Sequence, residues 1–143
     1  MSSERIHNYA PISELSPVLN IPGATFINLQ YRDFENDLTK IKDELGVKVY
    51  NFDDLDQFEN LEDVAALSAA LDIVVSTHNV VIMIAPWVGT PTKFASWRQS
   101  PYNNVLLAPR GPSLDTFERN TWEPWENILP KNIYYQLFIL VEQ

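Results

Sequence analysis

Two polar segments of this sequence have residue types suited to binding a charged ligand. Ser76-Thr77-His78-Asn79 follows a continuous β-branched run at 73–75, and Gln30-Tyr31-Arg32 follows an earlier apolar run. Backbone N–H groups at the start of a helix are unpaired and lie at the positive end of the helix dipole, which suits an anion such as a diphosphate. Small polar side chains at this position also serve as helix caps, so both roles stay open for the Ser76-Asn79 segment.

Single residues in these segments support the same two interpretations. Arg32 is suited to neutralising a phosphate, and it is equally compatible with a solvated loop. His78 is placed for ligand contact, but the only other histidine, His7, is distant in sequence. Two separated histidines without a helical pair of ligands do not indicate a metal site, so neither a metal nor a cofactor is predicted.

Several enzyme classes are disfavoured by motifs that the sequence lacks. It has no cysteine, no Gly-rich phosphate loop, no dinucleotide fingerprint and no Gly-x-Ser-x-Gly motif. Nucleoside triphosphate hydrolysis, NAD chemistry and cysteine nucleophiles therefore do not fit. A hydrolase that uses His78 is a weaker hypothesis, because no nucleophile pairs with it in the sequence.

The composition indicates a folded globular domain and argues against nucleic acid as a partner. Of the 143 residues, 45% are hydrophobic, and the formal net charge is -9. Binding to a phosphate backbone requires clustered Lys and Arg, which are scattered here. Residues 1–8 are polar and expected to be poorly ordered, and the apolar runs are too short to cross a bilayer. We expect one domain over 1–143 and a cytoplasmic location.

Strand and helix patterns alternate along the chain. The predicted strands are 24–29, 47–50, 73–75 and, more weakly, 92–95 and 105–107. The predicted helices are 11–19, a segment with apolar residues from Phe34 to Leu45 that Gly46 ends, one capped by Asn60, one over 80–88 and one beginning near Thr121. The helix capped by Asn60 has an apolar stripe that begins at Leu61 and is expected to face the core. Such alternation predicts a Rossmann-like three-layer αβα sandwich with a mostly parallel sheet, which binds ligands beyond the carboxyl ends of its strands. The apolar tail at 133–141 is compatible with a strand, a helix or a partner-binding patch.

A family resemblance is carried by four segments in order. They are Phe26-Ile27-Asn28-Leu29-Gln30-Tyr31, the stretch 56–63, the stretch 65–76 and Gly89-Thr90-Pro91. Together they resemble the C-terminal, donor-binding domain of GT-B glycosyltransferases, most closely bacterial TPR-associated glycosyltransferases and heptosyltransferases. The similarity covers about 5–130.

This resemblance implies that the chain binds a nucleotide-diphosphate sugar, with the diphosphate at the start of the helix after 73–75. It also implies that the acceptor site and the general base lie on an N-terminal glycosyltransferase or TPR domain, so no catalytic residue is assigned. The family commonly has Asp or Asn, then Thr and a small residue, where this chain has His78, Asn79 and Val80, and a His where it has Met83. It also has a small residue at the position of Pro86 and often a glycine at that of Arg32. The alternative is a non-catalytic protein-interaction or ligand-binding module that has lost donor binding.

Overall fold

The structure is a computed structural model that describes residues 10–31, 34–97, 113–120 and 123–127. These residues form helices and strands in alternation. In chain order the elements are α1 (Ile12–Leu19), β1 (Phe26–Ile27), α2 (Glu35–Leu45), β2 (Val49–Tyr50), α3 (Leu61–Ala69), β3 (Val74–Ser76), α4 (Val81–Ile84), β4 (Thr92–Trp97) and β5 (Leu114–Arg119), followed by a 3-10 turn at Trp125–Asn127.

Every observed strand pairing is parallel. β1 pairs with β2, and β4 lies between β3 and β5, with Val74 opposite Thr92 and Trp97 opposite Arg119. Parallel strands connected through helices define an α/β protein, so the predicted Rossmann-like fold class is confirmed. The three-layer arrangement of the whole chain stays a prediction.

The two faces of β3 pack against different helices. One cluster joins β3 to α3 and to the α4 segment and consists of Val64, Val74, Val81 and Ala85. A second cluster joins β3 and β4 to α1 and the 3-10 turn, and it consists of Ala95 and Trp125 with Leu15, Val18 and Val75 packed against them. Successive side chains of a strand point to opposite faces, so the β-branched run at 73–75 is buried from both sides.

The predicted ends of α2 and α3 are confirmed by their capping geometry. Gly46 follows α2 with φ 68°, a left-handed conformation that glycine adopts without strain, and its N–H donates to the carbonyl of Lys42. The side chain of Asn60 accepts hydrogen bonds from the backbone N–H groups of Glu62 and Asp63 at the start of α3. Leu61 was predicted to face the core, but it is 54% exposed.

Two predicted elements differ in extent. The helix predicted over 80–88 is only four residues long, and 85–89 form turns. Pro86 has no N–H to donate to the preceding helical turn, so it interrupts the hydrogen-bond ladder. The helix predicted from Thr121 is a 3-10 turn where the structure describes it.

β5 was not predicted from the sequence. Its residues Leu-Asp-Thr-Phe-Glu-Arg do not alternate cleanly between apolar and polar, and only pairing with β4 over its full length reveals the strand. The predicted strand at 105–107 and the tail at 133–141 lie outside the described residues.

Arg119 links the end of β5 to the C-terminal turn. Its Nη1 donates to the carbonyls of Asn120 and Glu123 at 3.2 and 2.9 Å, and its guanidinium lies 4.2 Å from the centroid of the Trp125 ring. The N–H of Trp125 in turn donates to the carboxylate of Glu14 in α1. Burial lowers the pKa of Arg119, while the charges of Glu14 and Glu123 oppose this shift. These contacts hold the turn against α1.

None of the helices in the described ranges has the length and apolar character needed to cross a membrane. The longest, α2, has 11 residues, whereas a span requires about 20.

Replacing Asn60 with Ala should lower the free energy of unfolding by about 1 kcal/mol, because two N–H groups at the start of α3 lose their acceptor. Urea denaturation monitored by circular dichroism measures the effect. Asn60→Ser restores a capping oxygen and should recover most of the loss. Equal destabilisation by Ala and Ser would show that the cap does not stabilise α3.

Candidate functional site

The structure places both predicted ligand-binding segments after the carboxyl ends of strands. Ser76 is the last residue of β3, and Thr77, His78 and Asn79 form the bend that follows. Gln30 and Tyr31 follow β1, which ends at Ile27. Arg32 lies outside the described residues. Loops at these positions come together in parallel α/β folds, because the strands point in the same direction.

A cavity of about 500 Å³ lies between β1 and β3. Its walls are the chain segments 24–30 and 71–75, with side chains that include Leu15 and Val18 from α1 and Leu38 and Ile41 from α2. Within the described residues, β1 pairs with β2, whereas β3 pairs with β4. The strands are therefore added away from this gap on both sides, β2 beyond β1 and then β4 and β5 beyond β3. Doubly wound sheets have a ligand crevice where their strand order reverses in this way.

Gln30 and Tyr31 point to different surroundings. Gln30 contributes to the wall of the cavity. The ring of Tyr31 instead stacks on that of Phe58, with centroids 5.5 Å apart and an interplanar angle of 26°. The loop after β1 therefore offers a polar group to the cavity and an aromatic group to the loop that precedes α3.

Asn28 fixes the backbone of the loop after β1. This residue is only 5% exposed, and its Oδ1 accepts from the N–H of Gln30 at 2.9 Å. Its Nδ2 donates to the carbonyl of Gln30 at 3.1 Å and to Oδ1 of Asn51 at 2.8 Å. The Nε2 of Gln57 donates to the carbonyl of Asn28 at 3.3 Å. One buried amide thus joins the loop after β1 to the loop after β2.

Sequence reasoning missed this amide network as a group. Asn28 lies within the predicted strand 24–29, where a polar side chain flanked by Ile27 and Leu29 was the available signal. Asn51 and Gln57 lie in a polar stretch, and only the pairing of β1 with β2 brings them to Asn28.

The loop after β3 faces β4. The Nε2 of His78 lies 3.4 Å from Oγ of Ser96, and its ring packs edge-on against Phe94 with centroids 4.8 Å apart. Ser96 lies 18 residues away in sequence, so only strand pairing reveals the contact. Ser96 is fully buried, and a substrate therefore cannot reach its hydroxyl in this structure. The contact gives the hydrolase hypothesis no accessible nucleophile.

Asn79 has the predicted capping role. Its Oδ1 accepts from the N–H of Val81 at 3.0 Å, at the start of α4. Because α4 is a single turn, its dipole is much smaller than the dipole of the longer helix predicted from the sequence. Anion binding at this loop would accordingly depend on side chains such as Ser76 and Thr77 more than on the helix.

Asp56 organises the loop between β2 and α3. Its Oδ1 accepts from the N–H groups of Phe58 and Glu59, each at 2.9 Å. The hydrogen bonds from Glu59 and Phe58 stabilise the ionised carboxylate and hold the pKa of Asp56 below its usual value. These hydrogen bonds fix the backbone at Phe58, which carries the ring that stacks on Tyr31.

Comparison with known proteins gives a partial match. Protein FlbA of Caulobacter vibrioides is 36% identical over 128 residues, which represent 87% of this chain and 22% of FlbA. The chain therefore spans about a fifth of the length of this relative. No protein-family model and no solved structure matches the chain.

Asn28→Ala should lower the free energy of unfolding by about 1 kcal/mol or more, because the part-buried hydrogen bonds of the Asn28 amide to Gln30 and Asn51 are lost. Urea denaturation measures the loss. Asn20→Ala is the matched control, since Asn20 is exposed and its side chain bonds only to Ser16 one turn earlier. A loss at Asn28 no larger than at Asn20 would contradict the central position of this amide.

The carboxyl of Asp56 should titrate at a lower pH in the folded protein than in the urea-unfolded chain. Its folded-state pKa is depressed, so its contribution to stability is present above the unfolded pKa, near pH 4, and is lost as pH falls through the folded pKa. Carboxyl-carbon NMR measures both midpoints. Asp56→Asn should remove this part of the pH dependence, and coincident midpoints would disprove the hydrogen-bonding argument.

Proposed function

We propose that this chain is the nucleotide-sugar-binding domain of a GT-B-type glycosyltransferase. The observation that carries the proposal is the position of the two segments that resemble this family. The first segment lines the cavity between β1 and β3 through Gln30 and the second through Val75, with Tyr31 and Ser76 following directly at the carboxyl ends of the strands. A crevice at this position is where doubly wound α/β proteins bind nucleotides.

Gln30, which lines the cavity, and Ser76 and Thr77, which follow its wall at the carboxyl end of β3, suggest how a nucleotide-diphosphate sugar would bind. The Gln30 amide and the hydroxyls of Ser76 and Thr77 are hydrogen-bond donors for phosphate oxygens. The cavity walls are largely apolar, and such surfaces exclude water from a ligand ring. Because the net charge is -9, long-range attraction would not draw in a diphosphate, so recognition would rest on these local hydrogen bonds.

The proposal assigns binding to this chain and catalysis elsewhere. In the GT-B family that the sequence resembles, the acceptor site and the general base belong to the other domain. FlbA is several times longer than the aligned 128 residues, so a relative of this chain has room for additional domains. A cytoplasmic location belongs to the same proposal.

A non-catalytic interaction module is the second candidate. Met83 in α4 and Trp87 and Val88 in the turns that follow it are 53%, 59% and 39% exposed. Exposed apolar groups that lie close together often mark a protein-binding surface. This candidate accounts for Val80 and Met83, two apolar residues at positions where the glycosyltransferase pattern has a small residue and a His.

Isothermal titration calorimetry with UDP- and GDP-sugars tests donor binding. Gln30→Ala and Thr77→Ala should each weaken binding by about tenfold, because a hydrogen bond to a charged phosphate is worth about 1.5–3 kcal/mol. Ser13→Ala, at an exposed position of α1, is the control and should leave affinity unchanged.

The absence of heat with every nucleotide sugar at about 5 mM would reject donor binding and favour the interaction module. Binding that neither Gln30→Ala nor Thr77→Ala weakens would contradict the location of the site between β1 and β3.

A further inference from the structure

An exposed pair of stacked aromatic rings lies outside the proposed diphosphate site. Tyr31 and Phe58 are 42% and 47% exposed, although their rings stack with centroids 5.5 Å apart. We call this pair the ring platform. A flat apolar surface that remains accessible to solvent is a frequent feature of binding sites for ring-shaped ligands.

The ring platform is held in place by hydrogen bonds to both of its loops. Asn28 fixes the backbone of Gln30, next to Tyr31, through bonds of 2.9 and 3.1 Å. Asp56 accepts from the N–H of Phe58, and the neighbouring Gln57 donates to the carbonyl of Asn28. The two rings are therefore positioned before any ligand arrives, which reduces the entropy lost on binding.

Among the described residues, the charges in the loop that carries Phe58 are negative. The stretch 51–60 contains Asp53, Asp54, Asp56 and Glu59, all exposed, and no Lys or Arg. Carboxylates repel phosphates and acidic sugars, whereas they accept hydrogen bonds from hydroxyl groups. The chemistry of this loop therefore favours an uncharged ligand rich in hydroxyls.

From these observations we infer that the ring platform binds a neutral pyranose ring of a glycan. Because each ring covers one face of the other, the C–H face of the sugar packs on the outer face of one ring of the stack, and its hydroxyls donate to carboxylates of the loop. This inference goes beyond donor binding and does not depend on it, because it requires neither a nucleotide nor a diphosphate. A nucleobase would also stack on the rings, but its phosphates would then lie near the carboxylates.

Saturation-transfer NMR with methyl glycosides of glucose, galactose, mannose and N-acetylglucosamine, and with maltotriose and chitotriose, tests the inference on the full chain. At least one sugar should show saturation on one face of its ring. Tyr31→Ala and Phe58→Ala should each weaken its binding by about fivefold. Tyr50→Ala, at an exposed aromatic residue whose ring contacts Lys48, is the matched control and should have no effect.

Conservative variants separate stacking from a general loss of structure. Tyr31→Phe and Phe58→Tyr keep a ring at each position and should retain sugar binding, and circular dichroism confirms that each variant is folded. The uronic acid that matches the bound sugar should bind more weakly, because it carries a carboxylate.

Three results would overturn the inference: no saturation of any neutral sugar at about 10 mM, an equal loss in Tyr50→Ala, or stronger binding of uridine or guanosine than of every sugar. Sugar binding without nucleotide-sugar binding would reject the proposed donor function and support the ring platform. Binding of a nucleotide sugar without binding of any neutral sugar would support the donor function and reject sugar binding by the ring platform.

Discussion

Burial of β3 on both faces is the constraint on which the other elements depend. Val74 packs toward α3 and the α4 segment, whereas Val75 packs toward α1 and Trp125. A strand covered on both sides can extend its sheet only along its edges, and one edge is occupied by β4. The other edge of β3 borders the cavity that β1 also lines, and the proposed donor site lies there and at the carboxyl end of the strand.

The loops near this end are held by polar contacts within the protein. Asn28 connects the loop after β1 to Asn51 and Gln57, and Asn79 caps the turn that follows β3. Buried amides with several partners restrict loop movement, because breaking one contact leaves other polar groups unsatisfied. Asn28 also lines the apolar cavity, so its hydrogen bonds hold one part of the cavity wall in place.

The two binding proposals use different chemistry on neighbouring surfaces. Donor binding relies on hydrogen bonds from Gln30, Ser76 and Thr77 in a protein with a net charge of -9. The ring platform relies on stacking beside the acidic stretch 51–60. A domain with both surfaces would hold a nucleotide sugar and a neutral glycan close together, which is chemically consistent with glycosyl transfer.

The sequence by itself determined the elements whose signals are local. The Asn60 cap and the Gly46 stop appear where predicted, and the strand predicted at 73–75 is displaced by one residue, because capping and burial patterns act within a few residues. Only the tertiary structure decided the partners of Asn28, the contact of His78 with Ser96 and the existence of β5. These depend on strand pairing between distant segments, and no local residue pattern specifies which strands will become neighbours.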